Sequence, residues 1–398
     1  MKELSMEVIH SQCAGIDVGS RFHVVAVDQK KEHVKTFGVY TQDHEDMIGY
    51  LRGHKIRDIA MESTGPYWQT LFDALQCAGF NVELVNGNQT KNVKGRKTDM
   101  IDAMWIQKLH SLGLLSGSFL PSENIQPLRT YYSHRQHLIN QCSKYINKMQ
   151  KSLTLMNIRL DVVINDIMGL SGRTIIEAIL SGERNPEVLA NLANYRVRKS
   201  KAEIAKALKG NWRPDLMFEL QSSLSLYDMY CGKIEECDVE LEKSIQSIVE
   251  KRENEESIKE SNVSIKSNKQ MKKHSPKFDI ETLSTQYYGI NLMQVPNVGK
   301  NTVLCLLTQI GKDIYKFPTS KHFCSWLRLA PNNKITGGKV ISSRTPKGKH
   351  KLSLALRQAA NTIGNQSKGE LVQFFKRVAF RKDRASAITA TARKPSLV

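Results

Sequence analysis

Short apolar runs alternate with amphipathic stretches from residue 11 to residue 85. Ala14-Gly15-Ile16-Asp17 and His23-Val24-Val25-Ala26-Val27-Asp28 have strand character, and Val18-Gly19-Ser20-Arg21 between them supplies the turn of a hairpin. Val34 to Tyr40 predicts a third strand, and Asp46 to Arg52 a helix. Asp58 to Met61 is short and apolar, as a buried strand is, and Pro66 starts a helix that runs to Ala78. Asn81 to Val85 predicts another strand. This order implies an α/β domain whose sheet mixes antiparallel and parallel pairing.

Beyond residue 128 the period changes. Leu138, Ile139, Tyr145, Ile146, Met149, Leu153 and Met156 recur at helical spacing, with Arg and Lys on the other face, and predict one long helix within 128–160. Leu216 to Val249 predicts another. A helical middle of this length suits a coiled coil or a dimerisation arm, although its heptads are imperfect. Residues 251–277 are almost all Lys, Glu, Ser, Asn and Gln, which predicts a solvated linker. A third block starts near Leu283. There Val295-Pro296-Asn297-Val298-Gly299-Lys300-Asn301-Thr302 has the form of the hairpin in a helix-hairpin-helix. Gly299 would offer backbone N–H groups, and Lys300 its ammonium, to a phosphate. Helices are predicted at Thr302 to Gln309, Ser320 to Leu327 and Leu352 to Thr362. The expected divisions are residues 1–125, 126–250, a charged linker at 251–282, and 283–398.

Charge narrows the choice of partner. The 398 residues carry 58 Lys+Arg against 39 Asp+Glu, a net charge of +19. That balance favours a polyanion, most commonly nucleic acid. The basic run Lys91, Lys94, Arg96 and Lys97, together with Lys339, Arg344, Lys347, Lys349 and Lys351, are candidate phosphate contacts. Tyr131, Tyr132, Trp105 and Trp212 are candidates for stacking on bases. No apolar span of 18 residues and no signal peptide is found, so a cytoplasmic protein without a membrane partner is expected. The seven Cys are scattered, and reduced packing roles are expected for them.

Four carboxylates carry the candidate chemistry. Asp17 ends one apolar run and Glu62 ends another, Ile59-Ala60-Met61-Glu62. Asp99 and Asp102 lie three residues apart, on one face of a helix. Carboxylates placed on strand ends and on one helical turn can converge on a hard divalent cation. In a basic protein such a site points to metal-assisted phosphodiester chemistry. Taken singly these residues have ordinary readings: Asp17 caps a turn, Glu62 is a surface carboxylate, and Asp99 and Asp102 cap a helix. His23 and His110 are expected to be structural.

The phrases Gly15-Ile16-Asp17-Val18-Gly19, Glu62-Ser63-Thr64-Gly65 and Lys97-Thr98-Asp99-Met100-Ile101-Asp102-Ala103 resemble the IS110-type, or DEDD, insertion-sequence transposases. So do Val295-Pro296-Asn297-Val298-Gly299 and Leu329-Ala330-Pro331. The resemblance runs along nearly the whole chain. It implies a RuvC-like, RNase H-type amino-terminal domain, a helical and coiled-coil-like middle, and a mostly α carboxy-terminal transposase domain. It gives Asp17, Glu62, Asp99 and Asp102 the role of holding Mg2+ or Mn2+. It also implies a hydroxyl nucleophile after the Ala-Pro segment. The family usually has Ser there, and this chain has Thr336 before Gly337-Gly338. Thr keeps the hydroxyl and adds a methyl that stiffens χ1. Thr336 and the carboxylates lie far apart in sequence, so they must meet by folding or, as the resemblance favours, between subunits. The implied partners are donor and target DNA, an element-encoded non-coding guide RNA of the bridge type, and further copies in a homodimer or homotetramer. The place implied is the prokaryotic nucleoid. Family members often run on for another helix, so the carboxy terminus is expected to be trimmed. Three rivals are weighed: a Holliday-junction resolvase that hydrolyses DNA with water through the same carboxylates, an actin-like ATPase or sugar kinase using Gly15 to Ser20 as a phosphate loop, and a non-catalytic RNA- or DNA-binding protein, which would leave the four carboxylates unexplained.

Overall fold

The computed structural model describes residues 7–90, 98–255, 273–295, 297–348 and 350–395. The chain divides into two units, residues 1–120 and 121–398.

In the first unit β1 (Cys13–Val18) and β2 (His23–Ala26) form the expected hairpin, and β3 (Val34–Phe37) adds to β2. Then follow α1 (Thr41–Gly53), β4 (Asp58–Glu62), α2 (Trp68–Cys77), β5 (Asn81–Val85), α3 (Gly87–Thr90) and α4 (Asp99–Ser111). The sheet order is β3-β2-β1-β4-β5. β2 runs antiparallel to both β3 and β1, whereas β1, β4 and β5 are mutually parallel. The mixed sheet expected from the sequence is therefore present.

Strand alternation gives the sheet two apolar faces. Ala14, Ile16 and Val18 of β1 join Ile59 and Met61 of β4 on one side. There they meet Met47 and Leu51 of α1 and Leu71, Phe72 and Leu75 of α2. Each such side chain contributes about 1.5–3 kcal/mol when fully buried. The other face is covered by α4. Ala103 packs with Val24 and Ala26, and Ile106 packs with Ala60 and Val85. Small residues on this face let the helix lie close.

The second unit contains α5 (Gln126–Leu155), α6 (Leu160–Val163), α7 (Leu170–Leu180), α8 (Pro186–Asn191), α9 (Lys201–Ala207) and α10 (Pro214–Glu255). It continues with α11 (Ile280–Tyr288), α12 (Lys300–Ile310), α13 (Ser320–Trp326), β6 (Lys334–Thr336) and β7 (Lys339–Ser342). The helices α14 (Lys351–Gly364), α15 (Glu370–Arg381) and α16 (Arg384–Arg393) follow. The two long helices pair with each other inside the chain. Arg135 of α5, fully buried, donates to both oxygens of Asp238 of α10 at 2.5 and 3.2 Å, and its Nη2 also donates to the His274 carbonyl at 2.9 Å. Tyr145 stacks on Tyr230 at 5.6 Å along the same seam.

Two boundaries differ from expectation. The helical middle and the carboxy-terminal block belong to one unit, because α12 packs on α5. Within the segment expected to be a charged linker at 251–282, α10 runs to Glu255, and Phe278 and Ile280 are buried just where Asp279 caps α11. Apolar side chains and an Asx cap tie that end down. Residues 256–272 lie outside the described residues.

Candidate functional site

The carboxylates of the first unit take their places from strand register. β1 and β4 are parallel, with Ile16 opposite Met61. One step further along that ladder sets Asp17 beside Glu62, on adjacent strands about 4.8 Å apart and on the same face. That face is the one covered by α4. Cys13 and Gln107 bond to each other through Sγ, Nε2 and their carbonyls. At Gly15 the helix touches the strand: a Cβ there would stand 2.2 Å from the Gln107 nitrogen and 2.4 Å from the Ala103 oxygen. Residue 13 thus meets residue 107, and residue 15 meets residues 103 and 107, so α4 runs back against the direction of β1. Two residues further along β1 cover about 6.6 Å, a little more than the 5.4 Å pitch of a helical turn. Asp17 therefore lies beside the first turn of α4, which carries Asp99 and Asp102 and starts from a Thr98 cap.

Glu62 is held from the side. Thr90 Oγ1 donates to Glu62 Oε2 at 2.8 Å, and the Trp105 indole of α4 donates to the Thr90 carbonyl at 3.1 Å. Gly87 leaves room for the carboxylate: a Cβ there would stand 2.4 Å from Glu62 Oε1. Gly87 and Thr90 were not singled out from the sequence, and Gly15 was read there only as part of a motif phrase and a candidate phosphate loop. Their signal is weak, a small residue inside or just after a predicted strand. Trp105, expected to stack on a base, is spent on this bridge.

Asp17, Glu62, Asp99 and Asp102 each offer hard carboxylate oxygens, the donor type that Mg2+ and Mn2+ prefer. The clearance at Gly15 that brings α4 down onto β1 fits the same use. Among the described residues, no three His, Cys, Asp or Glu side chains are drawn together closely enough to hold a metal ion as they stand.

In the second unit Thr336 ends β6 and pairs with Lys339 of β7 across Gly337-Gly338. Both glycines have positive φ, 55° and 75°, as a two-residue hairpin turn requires. The hairpin was not predicted, since all of Lys334–Thr336 is exposed and lacks an apolar face. Gly-Gly was the available signal. Thr336 and Lys339 stand exposed at its tip.

The remaining basic candidates separate. Gly299 is the exposed N-cap of α12, with open space where a side chain would be, and Lys300 begins the helix. Arg344 and Lys347 are exposed beyond β7. Lys351 is exposed, and its ammonium donates to Ser133 of α5 and stands 6.0 Å from the Tyr132 ring centroid. Burial and the neighbouring Arg129 lower its pKa. Tyr132 is 6% exposed and so belongs to the core instead of a base-stacking surface. Trp212 is covered by Arg184, 4.6 Å above its ring. Lys91, Lys94, Arg96, Lys97 and Lys349 lie outside the described residues. His23 and His110 are buried, and desolvation pushes each down to about 4, as structural neutral histidines require.

A family model described as "Transposase", of the DEDD IS110 type, matches residues 14–158. A second, described as "Transposase IS116/IS110/IS902 family", matches residues 290–375. Comparison with curated proteins returns no match. The first match spans the sheet, its carboxylates and α4, and the second spans the α12 start and the β6–β7 hairpin. The molecule is thus an enzyme that acts on DNA as a transposase or recombinase. The chain belongs to the IS110 family of insertion-sequence transposases. Among the described residues no helix is long and apolar enough to cross a membrane.

Proposed function

We propose that this transposase is an RNA-guided recombinase in which a RuvC-like, RNase H-type first unit acts with Thr336 to cut and rejoin DNA strands. The observation that carries the reading is the register that puts Asp17 beside Glu62 beneath the first turn of α4. Asp17, Glu62, Asp99 and Asp102 would hold one or more Mg2+ or Mn2+ ions. When bound, the metal supplies Lewis-acid neutralisation of the scissile phosphate.

The chain's own groups do the rest. Thr90 and Trp105 fix Glu62, and Gly15 fixes the approach of α4. The Thr336 hydroxyl oxygen attacks the scissile phosphorus, forming a Thr–O–P bond. The P–O bond to the leaving strand breaks, and that strand departs as a hydroxyl after taking up a proton. Attack by the hydroxyl of the incoming strand on the Thr–O–P linkage releases Thr336 and seals the new junction. No bond energy is lost, so no ATP is needed. The exposed hairpin tip suits a nucleophile that must reach DNA. Recombination of two DNAs calls for several sites, hence a homodimer or homotetramer. An element-encoded guide RNA would supply sequence choice by base pairing, while the +19 chain holds backbones.

The test is recombination between donor and target plasmids with the element's flanking RNA supplied. The chain as written and Thr336→Ser should recombine, and Asp17→Ala should lose at least about 100-fold. Recombination that is indifferent to Asp17→Ala refutes the carboxylate assignment. Cleavage of branched DNA without any joining would transfer the chain to the resolvase reading.

A further inference from the structure

Below the β6–β7 hairpin the second unit holds a cleft of about 860 Å³ that is unlike the rest of its surface. One wall is the base of the hairpin, Leu329 and Pro331 on the way in and Ser343 to Thr345 on the way out. The Asn332 N–H donates to the Arg344 carbonyl at 3.0 Å, which clamps the two legs together. The other wall is Phe374 of α15 with the length of α16 from Ala385 to Lys394. Four cations line the cleft: Arg344, Lys382, Arg393 and Lys394. No Asp or Glu is among its described lining residues. Lys394 Nζ stands 5.2 Å from the Phe374 ring centroid, so a cation and an aromatic face share one wall. The Ser386 hydroxyl already donates to Asp383, so it is not counted as a ligand group.

Four cations beside an aromatic ring and a proline describe a site for phosphates with a base packed against them. The volume lies in the range of roughly 300–1,000 Å³ that encloses one small molecule. It has room for a few unpaired nucleotides. Its position relates it to Thr336. From Ser342 at the hairpin base to Lys339 beside Thr336 is three residues of strand, roughly 10 Å. The cleft wall at the hairpin base therefore belongs to the same short hairpin that carries the proposed nucleophile.

We infer that this cleft binds an unpaired segment of the DNA strand next to the scissile phosphate, through Arg344, Lys382, Arg393 and Lys394 and the Phe374 ring. The choice of DNA rests on the reading of Thr336 as nucleophile. The binding itself does not, and the test keeps the two apart.

The test measures binding of a fluorescein-labelled thymidine pentamer to the full chain by anisotropy, at 50–200 mM salt and without cleavage. Lys382→Ala/Lys394→Ala should weaken binding about tenfold and flatten the slope of log affinity on log salt by about 1.4, two phosphate contacts at about 0.7 each. Phe374→Leu should weaken binding roughly tenfold and leave the slope unchanged. Lys206→Ala/Lys209→Ala, in the last turn of α9 and just past its end, removes equal charge elsewhere in the same unit and should change little. Failure of the pentamer to bind, or equal losses in the α9 and cleft variants, overturns the inference. A uridine pentamer that binds tenfold tighter than its DNA counterpart would give the cleft to RNA and overturn the assignment to DNA. None of these readings depends on whether Thr336 or the carboxylates are catalytic.

Discussion

Substituting Gly15 by Ala adds one methyl at the closest contact between the sheet and α4. That Cβ would stand 2.2 Å from the Gln107 nitrogen, 2.4 Å from the Ala103 oxygen and 2.8 Å from the Gln107 Cα. All three atoms are backbone, so no side chain can swing away. An unstrained contact needs about 3.5 Å, so α4 must recede by more than about 1 Å. Overpacking of a tight interior costs about 1–3 kcal/mol, which in a unit of this size lowers its melting temperature by about 10 °C. The functional cost should exceed what stability alone explains. The same shift carries Asp99 and Asp102 away from Asp17 and Glu62, and a misplacement of about 1 Å at a reacting centre costs on the order of 100-fold in rate. Calorimetry of the full chain paired with strand cleavage, at a temperature where both proteins are folded, separates the two effects. Gly49→Ala in α1 is the control: nothing lies within 4 Å of its would-be Cβ, and alanine in a helix should be neutral or stabilising by up to about 1 kcal/mol. A Gly15→Ala protein with unchanged melting and unchanged cleavage would refute the placement of α4 on β1, and with it the geometry of the site.

Further predictions follow from neighbouring details. Gly87→Ala meets only the end of the Glu62 side chain, so it should cost under about 1 kcal/mol in denaturant unfolding while lowering cleavage about tenfold or more. Thr90→Val, which removes the hydroxyl donated to Glu62, should cost about 1 kcal/mol and reduce cleavage in the same direction. Asp238→Ala strands Arg135 in the core between α5 and α10 and should destabilise the second unit by about 3–5 kcal/mol, measured by urea titration. His23, His110 and His350 are buried enough that each is pushed down to about 4. They stay neutral when folded but protonate near pH 6.5 when unfolded, so stability is complete above pH 6.5 and falls as pH drops towards 4, by up to about 3 kcal/mol each. Melting temperatures at pH 7.5 and 5 check this, and equal values would contradict it.

The sequence carried the sheet well because its signal is local. Ala14 to Val18 and Asn81 to Val85 are apolar runs bounded by turn residues, and β5 begins and ends where the pattern says. Asp17 and Glu62 were legible as residues ending such runs. Their adjacency was not, since it depends on the parallel register of two strands some forty residues apart. The long helices were legible from their 3.6 period, but the Arg135–Asp238 pair that joins them spans 103 positions and leaves no mark in either helix alone. The β6–β7 hairpin escaped because its strands have only three and four residues and their apolar side chains, Ile335, Val340 and Ile341, stay exposed, so the Gly337-Gly338 turn defines it. The contacts of Lys351 with Ser133 and the Tyr132 ring were not legible, because they join positions some 220 residues apart. Short-range pattern thus exposed the candidate residues, and long-range packing decided which of them come together.

The central claim is that strand exchange passes through a bond between Thr336 and DNA. The direct measurement incubates the chain with Mg2+, flanking RNA and end-labelled donor DNA, then looks for label that stays with protein on a denaturing gel. The account predicts a labelled adduct with the chain as written and with Thr336→Ser, none with Thr336→Ala or Asp17→Ala, and peptide mapping of the label to residue 336. Cleavage without an adduct, or an adduct that persists in Thr336→Ala, would contradict it.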